Sequence, residues 1–115
     1  MAKFFAVYRV PVATMDEWQK NTPPEEIQAQ MDQMMADMTA WTEKHKASLV
    51  GDGMPLGKTK TITANGVADT RNDLNYYCLV EADSHAAAAQ IFADSPHMMI
   101  PNSSIDVMEI PHMGM

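Results

Sequence analysis

The chain has little cysteine, little positive charge and no long apolar run, and each shortage excludes something. Cys78 is the only cysteine among 115 residues, so no disulfide forms within the chain. It stands inside an apolar segment, which predicts a packed thiol. Eight Lys and Arg against fifteen Asp and Glu leave a net charge of −7. Those few cations are scattered rather than striped, which argues against a nucleic-acid partner. No apolar run approaches the roughly 20 residues that span a bilayer, so no membrane partner is expected. After one lysine the N-terminus passes directly into a strand pattern, without the layout of a signal peptide, and the expected compartment is the cytoplasm. Zinc-ligand spacing, a phosphate-cradling glycine loop and a nucleophile elbow are also missing. With no linker and no low-complexity tract, residues 1–115 read as one domain, long enough to bury a core without staples.

What is present is a regular alternation of elements. Lys3 to Val10 is aromatic and β-branched, with Phe4, Ala6, Tyr8 and Val10 on one side and Phe5, Val7 and Arg9 on the other. Thr14 and Glu17 have capping-box spacing and predict a short helical turn carrying Trp18. Thr22-Pro-Pro-Glu25 predicts a stronger helix start, with Thr22 as cap and Pro23 at the first helical position. That helix is expected to run to about Lys46. Its apolar stripe is Ile27, Met31, Met34, Met38, Trp41 and then His45, widened by Met35. Leu49 to Pro55 reads as either a loop or a bulged strand, and Thr59 to Thr63 as a polar strand. Asn65-Gly66 is the dipeptide of a tight hairpin. Leu74 to Glu81 is the best strand, and Asp83 or Ser84 caps a helix over His85 to Ala93. Ser104 to Ile110 closes the chain.

The order βαββαβ is the ferredoxin-like arrangement, an α+β fold with a four-stranded antiparallel sheet and two helices on one face. The best strand is apolar on both sides, with Tyr76, Cys78 and Val80 on one and Tyr77 and Leu79 on the other. Two helices cover one face only. The other calls for a second copy of the chain, a homodimer through the sheet face.

Five segments carry a family resemblance over nearly the whole length. They are Phe4 to Val10; Trp41-Thr-Glu-Lys-His-Lys46; Pro55-Leu-Gly-Lys-Thr59; Asp69-Thr-Arg-Asn-Asp73 into Tyr77; and Asp94-Ser-Pro-His97 through Ile105-Asp-Val-Met-Glu-Ile110. On these the chain resembles the YCII-related family of the dimeric α+β barrel superfamily. The resemblance implies a homodimer whose sheets pack face to face and a cleft in each subunit between helix and sheet. It also implies cofactor-free His/Asp acid–base chemistry on a small metabolite. Many relatives carry Asp-Gly-Pro-Phe at the hairpin where this chain has Ala64-Asn-Gly-Val67, so a role for that aspartate does not carry over.

The candidate catalytic residues form two pairs. Asp94 and His97 flank Pro96 and resemble the family's acid–base pair. Their structural alternative is an Asx turn with a helix-capping or packed histidine. His45 ends the Met/Trp stripe, and Asp52 follows in a glycine-rich segment that can fold back on it. A histidine held by a carboxylate is a natural base near neutral pH. The alternative is a C-terminal cap on the helix dipole. Lys58 suits an anionic substrate or a solvated strand start. Tyr8, Trp41, Tyr76 and Tyr77 suit a hydrophobic ligand pocket, or core and interface. The outcome is a small enzyme or, alternatively, a non-catalytic small-ligand-binding or assembly module. Pro96-His-Met-Met99 and Pro111-His-Met-Gly-Met115 place histidine beside thioethers, a donor set suited to Cu(I), but no cysteine joins them and no metal site is assigned.

Overall fold

The structure, a computed structural model, describes residues 1–111. In chain order its elements are β1 (Ala2–Arg9), α1 (Val12–Asn21), α2 (Pro24–Lys44), β2 (Met54–Pro55), β3 (Thr59–Thr63), β4 (Gly66–Thr70), β5 (Leu74–Ala82), α3 (His85–Ile91), a 3₁₀ turn (Pro96–Met99) and β6 (Ser104–Glu109). The main sheet has the order β2-β5-β1-β6 and every pairing is antiparallel. That is the ferredoxin-like order, with the first and third strands of the motif at the centre.

The alternation in β1 sets the core. Phe4, Ala6 and Tyr8 lie opposite Val80, Cys78 and Tyr76 of β5, and all six turn toward the helices. Trp41 of α2 and Ala88 of α3 meet them, as does Phe92, which directly follows α3. A buried aromatic such as Phe4 or Tyr8 contributes on the order of 2–3 kcal/mol through the apolar area removed from water. The other face carries Phe5, Val7, Tyr77, Leu79 and Met108; Val7 is buried, Phe5, Tyr77 and Leu79 are half-buried, and Met108 is exposed.

Several local expectations are corrected. Thr14 caps nothing: α1 starts at Val12 behind Pro11, whose extended backbone (φ −55°, ψ 140°) leads straight into the helix. Thr22 ends α1 instead of capping α2, and Pro24 rather than Pro23 takes the first helical position. Two prolines in a row move the start by one residue, because the residue before a proline stays extended. The methionine stripe covers the sheet only at its C-terminal end. Met31 is 51% and Met35 69% exposed, and Trp41 is the one fully buried residue of α2.

The segment from Leu49 to Pro55 resolves as a bridge from Leu49 to Val80 followed by the two-residue edge strand β2. Proline is tolerated there because an edge strand has a free side. The polar strand Thr59–Thr63 does not join the main sheet. It pairs only with β4, as a separate hairpin. Its two loop residues are Ala64 and Asn65, with Gly66 paired to Thr63 at φ +124°, a conformation that suits glycine. Ser84, not Asp83, caps α3, accepting the Ala87 N–H at 3.0 Å. Among the described residues no helix is long and apolar enough to cross a membrane.

Candidate functional site

The last turn of α2 presents Trp41, Lys44 and His45 together, since residues three and four apart share a helix face. The segment after α3 brings Asp94 up to them. Its Oδ1 accepts from Trp41 Nε1 at 3.1 Å and lies 3.1 Å from His45 Nε2, and its Oδ2 accepts from Lys44 Nζ. The Lys44 hydrogen bond holds the Asp94 carboxyl down to about 2. Desolvation pushes the other way, while His45 and Trp41 add to the effect of Lys44. An ionised carboxylate only accepts, so Nε2 is the protonated nitrogen of His45 and Nδ1 is the basic one in the neutral ring. The His45 ring lies against Trp41, centroids 4.9 Å apart, and Trp41 is tilted on Phe92 at 5.5 Å. Packing thus fixes the tryptophan, and the tryptophan orients the histidine.

Two hollows flank Trp41. One is an open depression of about 370 Å³ walled by Trp41, Lys44, Asp94, Pro96 and Met99. The other is a more enclosed cavity of about 230 Å³ between α2 and β5, reached by Trp41, Leu49, Asp52, Tyr76 and Cys78.

Neither expected pair forms. Asp94 meets His45 rather than His97, and Asp52 lines the smaller cavity away from that pair. His97 is 6% exposed, its Nε2 3.0 Å from the Arg9 carbonyl and its ring edge-on to Tyr8 at 4.9 Å. Burial lowers its pKa, opposed by backbone hydrogen bonds to Arg9 and Ser104. The Tyr8 hydroxyl is buried with no hydrogen-bond partner, and desolvation, with Cys78 beside it, pushes the phenol well above its usual range. The thiol of Cys78 is likewise pushed up, to about 11, by burial. Trp41 and Tyr8 are on the helix-covered side, but Tyr77 is on the opposite face, stacked on Phe5 at 5.8 Å. Lys58 is exposed in the loop between β2 and β3. Of the two His/Met clusters, the first has His97 buried with Met99 80% exposed, so its donors do not gather. His112 to Met115 of the second lie outside the described residues.

Lys44 is the participant that sequence reasoning passed over. Its signal was the spacing Trp41, Lys44, His45, which puts three donors on one face before any acceptor is known.

The order β2-β5-β1-β6, with α2 and α3 packed on one face, is the ferredoxin-like fold. A solved structure with this fold is 5-chloro-2-hydroxyhydroquinone dehydrochlorinase from Burkholderia phenoliruptrix AC1100, in complex with 2,5-dihydroxybenzoquinone. It is 19% identical, with a TM-score of 0.52, and the match covers 95% of this chain and 94% of that one. At that identity the likeness is one of fold. No family model and no curated protein matches the sequence.

Proposed function

We propose that this chain is a small enzyme of the YCII-related type, carrying out cofactor-free acid–base chemistry on a small aromatic or carbonyl-bearing metabolite. The observation that carries the reading is the convergence of Trp41, Lys44 and His45 on one carboxylate at the edge of an open depression. In this reading His45 Nδ1 takes a proton from the substrate, and Asp94 stabilises the imidazolium that forms. Lys44 meets the oxygen on which negative charge develops. The proton returns to a different atom of the product in an isomerisation. In an elimination the leaving group departs as an anion. The Trp41 ring supports an aromatic substrate by stacking.

His97 is a positioning residue in this proposal, pinning the turn after Asp94 onto β1. The outer sheet face is covered by a second copy of the chain, in keeping with its half-buried and exposed apolar side chains. The single buried thiol suits a reducing compartment such as the cytoplasm.

A second reading, a ligand-binding or assembly module, is favoured by one fact: Lys44 already neutralises Asp94, so the cluster also serves as a clamp between α2 and the segment after α3. The test uses 2,5-dihydroxybenzoquinone as a binding probe and 5-chloro-2-hydroxyhydroquinone as a turnover probe. The enzyme reading expects binding that quenches Trp41, and turnover that His45→Gln abolishes while the variant stays folded. Binding without turnover, or turnover indifferent to His45→Gln, contradicts it.

A further inference from the structure

The cavity on the far side of Trp41 has no part in the chemistry just described, and its lining has a character of its own. Trp41 enters it from α2 and Tyr76 from β5, so two aromatic rings reach it from different elements. Leu49 and Cys78 add apolar surface. At the rim Asp52 is exposed, and among the described residues its carboxylate makes no ion pair or side-chain hydrogen bond. Asp94, by contrast, is engaged with Lys44, and Asp73 and Asp106 with Arg9. Tyr76 is set in place by its neighbours, its ring 5.0 Å from Tyr8 and its hydroxyl tight against Gly53, where an added Cβ would stand 2.6 Å from Oη. Glycines at 51 and 53 keep side chains out of the opening.

We propose that this cavity is a binding site for a small organic cation of the alkylammonium class, held between the Trp41 and Tyr76 rings with Asp52 as its counter-ion. Aromatic faces carry negative quadrupole density, and Trp and Tyr are strong partners for an ammonium group. An unpaired carboxylate supplies the full charge that the rings lack. The volume of about 230 Å³ falls below the roughly 300–1,000 Å³ of pockets for drug-sized ligands, so the ligand is small. Desolvation, then Cys78 and then Asp52, raise the Tyr76 pKa, which sets the Asp52 charge within electrostatic reach of the ring. The net charge of −7 raises the concentration of cations near the surface. Arginine-sized cations fit the chemistry less well, since a planar guanidinium seeks two carboxylate oxygens in line and one rim carboxylate faces an apolar interior.

The experiment is an NMR titration of the full chain with choline, and in parallel with 3,3-dimethyl-1-butanol, a neutral molecule of the same shape. The expected result is saturable choline binding in the millimolar range or tighter, with shifts at the Trp41 indole and at the Gly51 and Gly53 amides. Asp52→Asn should weaken it at least tenfold, and Tyr76→Leu should do the same through the ring. The neutral alcohol should bind at least tenfold more weakly than choline. Equal binding of the two molecules, shifts confined to Lys44 and Asp94, indifference to Asp52→Asn, or no saturation overturns the proposal. The acid–base reading of His45 stands or falls separately, because Asp52 and Tyr76 take no part in it.

Discussion

At the scale of single residues, what a side chain does here depends on which neighbour arrives from a distant part of the chain. His45 and His97 illustrate this. Both stood near a carboxylate in sequence, yet one shares Asp94 and the other is buried against a backbone carbonyl. Burial gives His97 a pH signature. With a folded pKa below the ordinary ~6.5, its neutral form is the one the core accepts, so its contribution is complete above that value. It is lost as pH falls from about 6.5 through the folded pKa. Chemical denaturation at pH 7.5 and at pH 5 should show a loss of stability that is smaller in His97→Gln. Gly53 gives a steric prediction. A Cβ there meets Tyr76 Oη at 2.6 Å and the Tyr77 carbonyl at 2.8 Å, and the second contact is backbone that has little room to yield. Gly53→Ala should cost about 1–3 kcal/mol in urea denaturation. Tyr76→Phe in the same chain should recover only part of that, because the carbonyl contact remains. The signals for these positions are long-range: the sequence names the histidines and the glycine but not the β5 neighbours that give them meaning.

Elements were more legible than residues, and the reason is periodicity. The two-residue alternation of β1 and β5 predicted both faces correctly because side-chain direction in a strand is fixed by parity. The start of α3 was read correctly, that of α2 was off by one residue because two prolines offered competing starts, and that of α1 was off by three. The polar strand was recognised, but its partner was not. Thr59–Thr63 was expected to supply an edge of the main sheet, and that edge is the two-residue β2. Nothing local distinguishes a strand that joins a sheet from one that pairs only with its hairpin mate. The separateness is testable. Replacing residues 59–70 with a short Gly/Ser linker should leave the four-stranded sheet, the Trp41 environment and thermal cooperativity in place. Near-UV circular dichroism of the shortened chain reads this, and loss of the aromatic signal would mean that the hairpin supports the core.

At the scale of the molecule, the shape is open. The radius of gyration is 16.1 Å and the extents are 48 × 43 × 21 Å, against about 13 Å for the radius of a compact domain of this length. The hairpin and the N-terminal part of α2, with Met31 and Met35 exposed, lie outside the packed core. On the outer sheet face Phe5, Tyr77 and Leu79 are half-buried and Met108 is exposed. These features are in keeping with the proposal that a second copy covers the sheet, the same expectation that the two-sided strands raise in the sequence. Multi-angle light scattering should give twice the chain mass for the wild type and the single mass for Leu79→Asp. A monomeric wild type would contradict the assembly. The candidate site was half legible: His45, Asp94 and Trp41 were singled out, while their convergence depended on how α2 crosses the segment after α3.

The most direct test of the central claim is an NMR pH titration of the Asp94 carboxyl in wild type and in His45→Ala. Lys44 and then His45 hold that carboxyl down to about 2, so if His45 and Asp94 work as a pair the substitution moves the Asp94 curve upward. Superimposable Asp94 curves in the two proteins would contradict the claim.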